Sequence, residues 1–201
     1  MNKRRLWSFS FTTPTLVLIP AAVGINYIGK LFASLLKLPL WLDSIGTVLA
    51  SMLGGPIVGA ISGAINNIIY GLTADPISTV YALTSVAIGI AVGIMAYEGM
   101  INTFWKSIIA GIIVTVVAAI VSTPLNVIFW GGQTGNIWGD ALYAYLIAHT
   151  VPKWIASFFD ELSVDLPDKI ATVIVGFLIF KGLPKRIIQI YQGEEGVEKL
   201  S

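Results

Sequence analysis

The side chains able to do chemistry in this 201-residue chain are amides, aromatics and a few charges set into apolar sequence. Two adjacent carboxamides, Asn66 and Asn67, stand one turn before Tyr70 near the end of the segment LDSIGTVLASMLGGPIVGAISGAINNIIYGL, residues 42–72. Amides so placed must find partners, because lipid supplies none. Asn26, Lys30, Trp41, Asp43, Tyr81, Asn126, Trp130, Gln133, Asn136 and Trp138 fall in the polar halves of the other apolar segments. Aromatic walls with a few fixed amides are the lining of a small-solute pocket. The plainer alternative is that Asn and Tyr join helices and that Trp marks the membrane interface. Asn66, Asn67 and Asn126 taken together favour the pocket, whereas any single Trp favours the interface. Lys30 and Asp43 flank one turn and are expected to pair, which removes most of the cost of two half-buried charges. Contact of Lys30 with an anionic ligand group is the other reading.

Nothing in the chain assembles into a catalytic constellation. The single histidine, His149, has no fixed Ser or Cys companion and reads as an interfacial residue, and no HExxH helix or phosphate-cradling Gly-Lys loop is present. Gly54-Gly55-Pro56 has no basic neighbour and is a turn. With no cysteine and one histidine, neither a metal site nor a cofactor is expected, and a net charge of +1 gives no basic face for nucleic acid.

The elements that must hold these residues are membrane spans. The chain is 56% hydrophobic and only 11% charged, with a mean hydropathy of +0.83; a soluble domain carries about 25% charged residues. Apolar runs of about 18 residues or more predict an all-α membrane protein with six transmembrane helices, at about 14–36, 43–54, 56–72, 77–97, 105–129 and 167–181. Pro14 suits the first turn of span 1, Asp43 is a plausible cap for the short span 2, and Asp165 and Asp168 are expected to cap span 6. A long polar outer loop, 131–168, would join spans 5 and 6, with GGQTGNIWGD as a turn cluster and 141–160 as a candidate helical piece. Residues 1–186 then form one six-helix transmembrane domain, and 187–201 a cytoplasmic polar tail. Lys3, Arg4, Arg5, Lys106, Lys181, Lys185, Arg186 and Lys199 share one side, so the positive-inside bias puts both termini in the cytoplasm of a multi-pass protein. The basic N-terminus resembles a signal peptide, but the apolar run continues through Asn26, Tyr27 and Lys30 and reads as a retained span. The inner halves of the spans hold no acid, and no internal repeat is evident, which argues against ion-coupled transport.

Three segments, LDSIGTVLASMLGGPIVGAISGAINNIIYGL, STPLNVIFWGG and LPDKIATVIVGFLIFKGLPKR, make the chain resemble the S component of energy-coupling factor (ECF) transporters. The resemblance covers most of residues 12–186. It implies a subunit that binds a vitamin or similar micronutrient at the outer face and hydrolyses nothing itself. It further implies association with a transmembrane coupling subunit and two cytoplasmic ATPases. Docking in this family uses small residues on the first span; here the matching positions are Pro20, Ala21, Ala22 and Gly24, with Gly29 and Ala33 as a second small pair. Six tryptophans and few buried charges would suit a largely neutral, ring-containing ligand, a flavin or a corrinoid such as cobalamin. A stand-alone channel or facilitator and a membrane sensor remain the alternatives.

Overall fold

The computed structural model describes residues 6–7 and 12–192. The basic run Lys3-Arg4-Arg5, Phe9, Phe11 and the tail beyond Gln192 lie outside the described residues. The described chain is helical throughout, without strands: α1 (Thr13–Leu35), α2 (Ile45–Gly54), α3 (Pro56–Thr73), a 3-10 turn (Pro76–Thr79), α4 (Ala82–Tyr97), α5 (Phe104–Trp130), α6 (Ile137–Ala148), α7 (Lys153–Gly182) and α8 (Lys185–Gln192). Among the described residues, α1 and α5 are long and apolar enough to cross a bilayer, while α2, α4 and α6 are shorter apolar helices.

Local chemistry sets most of these boundaries. Pro14 and Pro56 sit in the first turns of α1 and α3, where a missing N–H costs nothing. Thr103 caps α5 by accepting from Lys106 N, and Asn136 caps α6 by accepting from Trp138 N. Gly131, at φ 70°, ends α5 in the left-handed conformation that glycine adopts without penalty.

The short helix α2 forms the centre of the bundle. Every residue from Gly46 to Leu53 is buried, and α1, α3, α4, α7 and α8 all pack on it. Its neighbours, and not its length, satisfy it. Small residues permit that proximity: a Cβ on Gly46 would collide with the Ala22 backbone, and one on Gly89 of α4 would strike the backbone of Gly59 and Ala60 in α3. Apolar packing continues through Val48, Ile88, Val92, Val114 and Val173.

Several sequence expectations change. The long polar loop is mostly helix, because α6 and the first half of α7 occupy it, leaving short connections around 131–136 and 149–152. Asp165 and Asp168 are not caps: α7 begins at Lys153 with Pro152 as its N-cap, and Pro167 lies inside it. Nor does Asp43 cap α2. Ser44 holds that position without a side-chain cap bond, and the buried first-turn N–H groups of Gly46 and Thr47 donate to Asn26 Oδ1 at 2.7 and 3.3 Å. Helix α8 crosses the expected domain limit at 187, with Ile188 buried and the Tyr191 hydroxyl donating to Pro14 O at 3.0 Å.

Candidate functional site

Helix α7 brings an acid-rich stripe into the bundle. Asp160, Glu161, Asp165, Asp168 and Lys169 are each no more than 5% exposed. Glu161, Asp165 and Lys169 follow one another at four-residue spacing, so they share one helix face. Lys169 Nζ lies 2.6 Å from Asp168 Oδ2, 3.3 Å from Asp165 Oδ1 and 3.6 Å from Asp43 Oδ1. Lys30 of α1 reaches the other Asp43 oxygen at 3.6 Å, so the expected Lys30–Asp43 pair forms as part of a larger network. Burial pushes the Asp43 carboxyl up, but Lys169 and Lys30 outweigh it and leave its pKa below the ordinary value.

The connection between α1 and α2 is tied over this network. Trp41 N and Leu42 N both donate to Asp168 Oδ1, at 3.1 and 2.8 Å. Leu42 takes a left-handed φ of 53°, an uncommon conformation for a branched residue. The two charge-assisted bonds to one buried carboxylate hold it there. Trp138 Nε1 donates to Lys37 O at 3.2 Å, and Asn136 Nδ2 to Leu38 O at 3.3 Å, fastening the same connection to α6.

Two chambers lie under and beside it. The inner one, about 70 Å³, is walled by Asp43, Glu161, Asp165, Lys169, Trp41 and Tyr81, among others. The wider one, about 360 Å³, is a vestibule with Tyr70, Trp138, Asn136 and Lys37 in its walls. Lys30, Trp41 and Asp75 belong to both. Lys30 Nζ also sits 4.8 Å from the centroid of the Tyr70 ring, and Tyr27 packs against that ring at 5.1 Å. Tyr81 donates to Asn126 Oδ1, and Asn126 Nδ2 donates to Glu161 Oε2 at 2.9 Å. Asn126 thus stands one bond behind the wall and orients two groups in it.

The structure therefore brings Lys30, Trp41, Asp43, Tyr70, Tyr81 and Trp138 together around the two chambers, with Asn126 behind. Asn66 and Asn67 are buried but border neither chamber. Asn67 Nδ2 donates to Ser85 Oγ and, at 3.3 Å, to Gly63 O, while neither side-chain polar atom of Asn66 has a partner. Trp130 is outside both walls as well. Asn26 is fully buried and serves the start of α2, its Nδ2 donating to Thr47 Oγ1 at 2.8 Å. Asn26→Ala is accordingly expected to cost about 1–3 kcal/mol through the two orphaned N–H groups, with solute affinity unaltered. Thermal unfolding and ligand titration of the same sample check this, and lost affinity at unchanged stability would return Asn26 to the cavity wall.

Sequence reasoning missed Glu161, Asp165, Lys169 and Asp75 as wall residues, and the expectation of few buried charges fails with them. For Glu161, Asp165 and Lys169 the four-residue spacing was the available signal, hidden by the placing of span 6 at 167–181. Of the docking residues, Pro20 and Ala21 are exposed and Gly24 has nothing within 4 Å of its Cβ position, but Ala22 is 1% exposed and turned against Gly46. The second small pair also faces inward, Gly29 against the Leu42 carbonyl and Ala33 at 3% exposure. Among the described residues no group of three side chains is placed to hold a metal ion.

The described chain is an all-helical bundle, with two helices long and apolar enough to cross a bilayer and a polar pair of chambers under the α1–α2 connection. The family model for the ECF transporter, substrate-specific component, matches residues 15–191, and the chain belongs to that family. Members of the family are membrane proteins that bind transport substrates and work with a membrane coupling subunit and ATPases. No curated protein and no solved structure matches the chain.

Proposed function

We propose that this chain captures a small organic micronutrient from the outer face of the cell membrane and delivers it through an ECF-type importer. Its direct partner would be the transmembrane coupling subunit, with two cytoplasmic ATPases supplying the energy. The observation that supports this reading is the pair of adjacent chambers under the α1–α2 connection, which share Lys30, Trp41 and Asp75 and have the polar, aromatic lining of a small-solute site. The contacting residues are then Lys30, Trp41, Asp43, Tyr81, Tyr70 and Trp138, with Asn126 positioning Tyr81 and Glu161. Asn26, Asn66, Asn67 and Trp130 act in helix packing. A six-span, multi-pass arrangement with both termini cytoplasmic agrees with α8 lying against the start of α1, while Lys30 places the chambers at the other end of α1.

The exposed Pro20 and Ala21, with the half-buried Gly24 beside them, form the proposed docking face on α1. As to the cargo, a corrinoid is far larger than a 70 Å³ chamber or the 360 Å³ vestibule beside it, and a neutral flavin ring leaves the acidic wall unanswered. A smaller, charged solute fits better. Uptake into cells carrying this chain, with and without the coupling subunit and ATPases, tests the function, and mass spectrometry of co-purifying small molecules tests the cargo. Uptake is expected only when all partners are present; flux through this chain alone in liposomes would replace the importer reading with that of a facilitator.

A further inference from the structure

The walls of the inner chamber do not balance in charge. Four carboxylates, Asp43, Asp75, Glu161 and Asp165, face two ammonium groups, Lys30 and Lys169. Both lysines are already engaged: Lys30 by Asp43, and Lys169 by Asp43, Asp165 and, outside the wall, Asp168. Glu161 is held by the Asn126 amide and has no ion pair among the described residues. Asp165 is 1% exposed, and while its Oδ1 faces Lys169, its Oδ2 has no partner at all. An unpartnered carboxylate oxygen in a buried wall is costly unless the group takes up a proton or something positive meets it.

Resting on the solute-capture reading above, we infer that the inner chamber selects a cationic nitrogen. The substrate carries a protonated amine or a permanently charged nitrogen as its head, and its body lies in the vestibule. An ammonium head lies against the Glu161 and Asp165 carboxylates, beside the Trp41 and Tyr81 rings of the same wall. The chamber's 70 Å³ admits such a head and little more, whereas the 360 Å³ vestibule offers the Tyr70 and Trp138 rings to a flat body. An anionic head would add to the surplus of negative charge. A neutral one could donate a hydrogen bond but would leave the surplus of negative charge uncompensated. A bare metal ion is disfavoured by the lack of a three-ligand group among the described residues.

The test uses the full chain in lipid nanodiscs and three probes of one shape: benzylammonium, benzyl alcohol and benzoate. Benzylammonium is expected to raise the thermal unfolding temperature in a saturable way, with an affinity about tenfold or more above the other two. Asp165→Asn should lower that affinity about tenfold, and Glu98→Gln, beyond the far end of α4, should not. Should Asp165→Asn fail to fold, Glu161→Gln carries the test, since it removes a charge while keeping an acceptor for Asn126. A benzylammonium response no larger than that of the alcohol or benzoate overturns the assignment, as does a wild-type response in the charge-removing variant that folds. Either result leaves the importer reading intact, because that reading stands on partner-dependent uptake.

Discussion

Lys169→Met is expected to destabilise the protein by about 3–5 kcal/mol, the usual cost of removing one partner from a buried ionic network. The ammonium is 3% exposed and is shared by Asp43, Asp165 and Asp168. Without it three carboxylates face one another in a water-poor interior, and only Asp43 keeps a lysine, Lys30. The damage would spread to the chamber roof, because Asp168 holds the Trp41 and Leu42 amides while bonded to Lys169. Thermal unfolding in detergent measures the loss. Adding Asp165→Asn to Lys169→Met should recover part of it by removing one uncompensated charge, a coupling that a double-mutant cycle isolates. A Lys169→Met protein as stable as the wild type would mean that the carboxylates are already neutral, and the ionic account of the site would fall.

The second large effect lies in the seam between α3 and α4. A Cβ on Gly89 meets backbone atoms of the facing helix, with Ala60 Cα at 2.8 Å, and backbone cannot yield as the end of a side chain can. Gly89→Ala is expected to cost about 1–3 kcal/mol, the range for overpacking a tight core. Gly89→Leu should prevent the two helices from closing, read as loss of a monodisperse peak in size-exclusion chromatography. Gly24 supplies the contrast. With nothing within 4 Å of its Cβ position, Gly24→Leu should fold with an unchanged unfolding temperature and fail only in co-purification with the coupling subunit. Retained assembly in that variant would move the docking face elsewhere.

Much of the helix plan was legible because its signals are local. Pro14 in the first turn of α1 and Gly54-Gly55-Pro56 at the turn into α3 act within a few residues of themselves. Thr103, Asn136 and Gly131, which bound α5 and α6, act as locally but are not among the caps read from the sequence. The Lys30–Asp43 pair was legible too, since one short turn separates its members. The span placed at 167–181 misled because Pro167 lies inside α7, and a proline's ring reads the same at a helix start as in a tolerated interior position. Once α7 was begun too late, Glu161, Asp165 and Lys169 no longer appeared as one stripe.

The amino-acid sequence by itself determined an apolar, all-helical chain in the membrane, the approximate helix boundaries and the supply of amides, aromatics and acids, because composition and spacing govern these directly. The tertiary structure alone decided which of them meet. Asp168 holds the backbone of Trp41 from 127 positions away, Asn26 turns from a wall candidate into the keeper of α2's first amides, and Asn66 and Asn67 withdraw into helix packing. Each outcome depends on which face of a helix its neighbours cover. That choice is made by small-residue contacts such as Gly46 on Ala22 and Gly89 on Ala60, summed over the whole bundle, and no local stretch of sequence contains it.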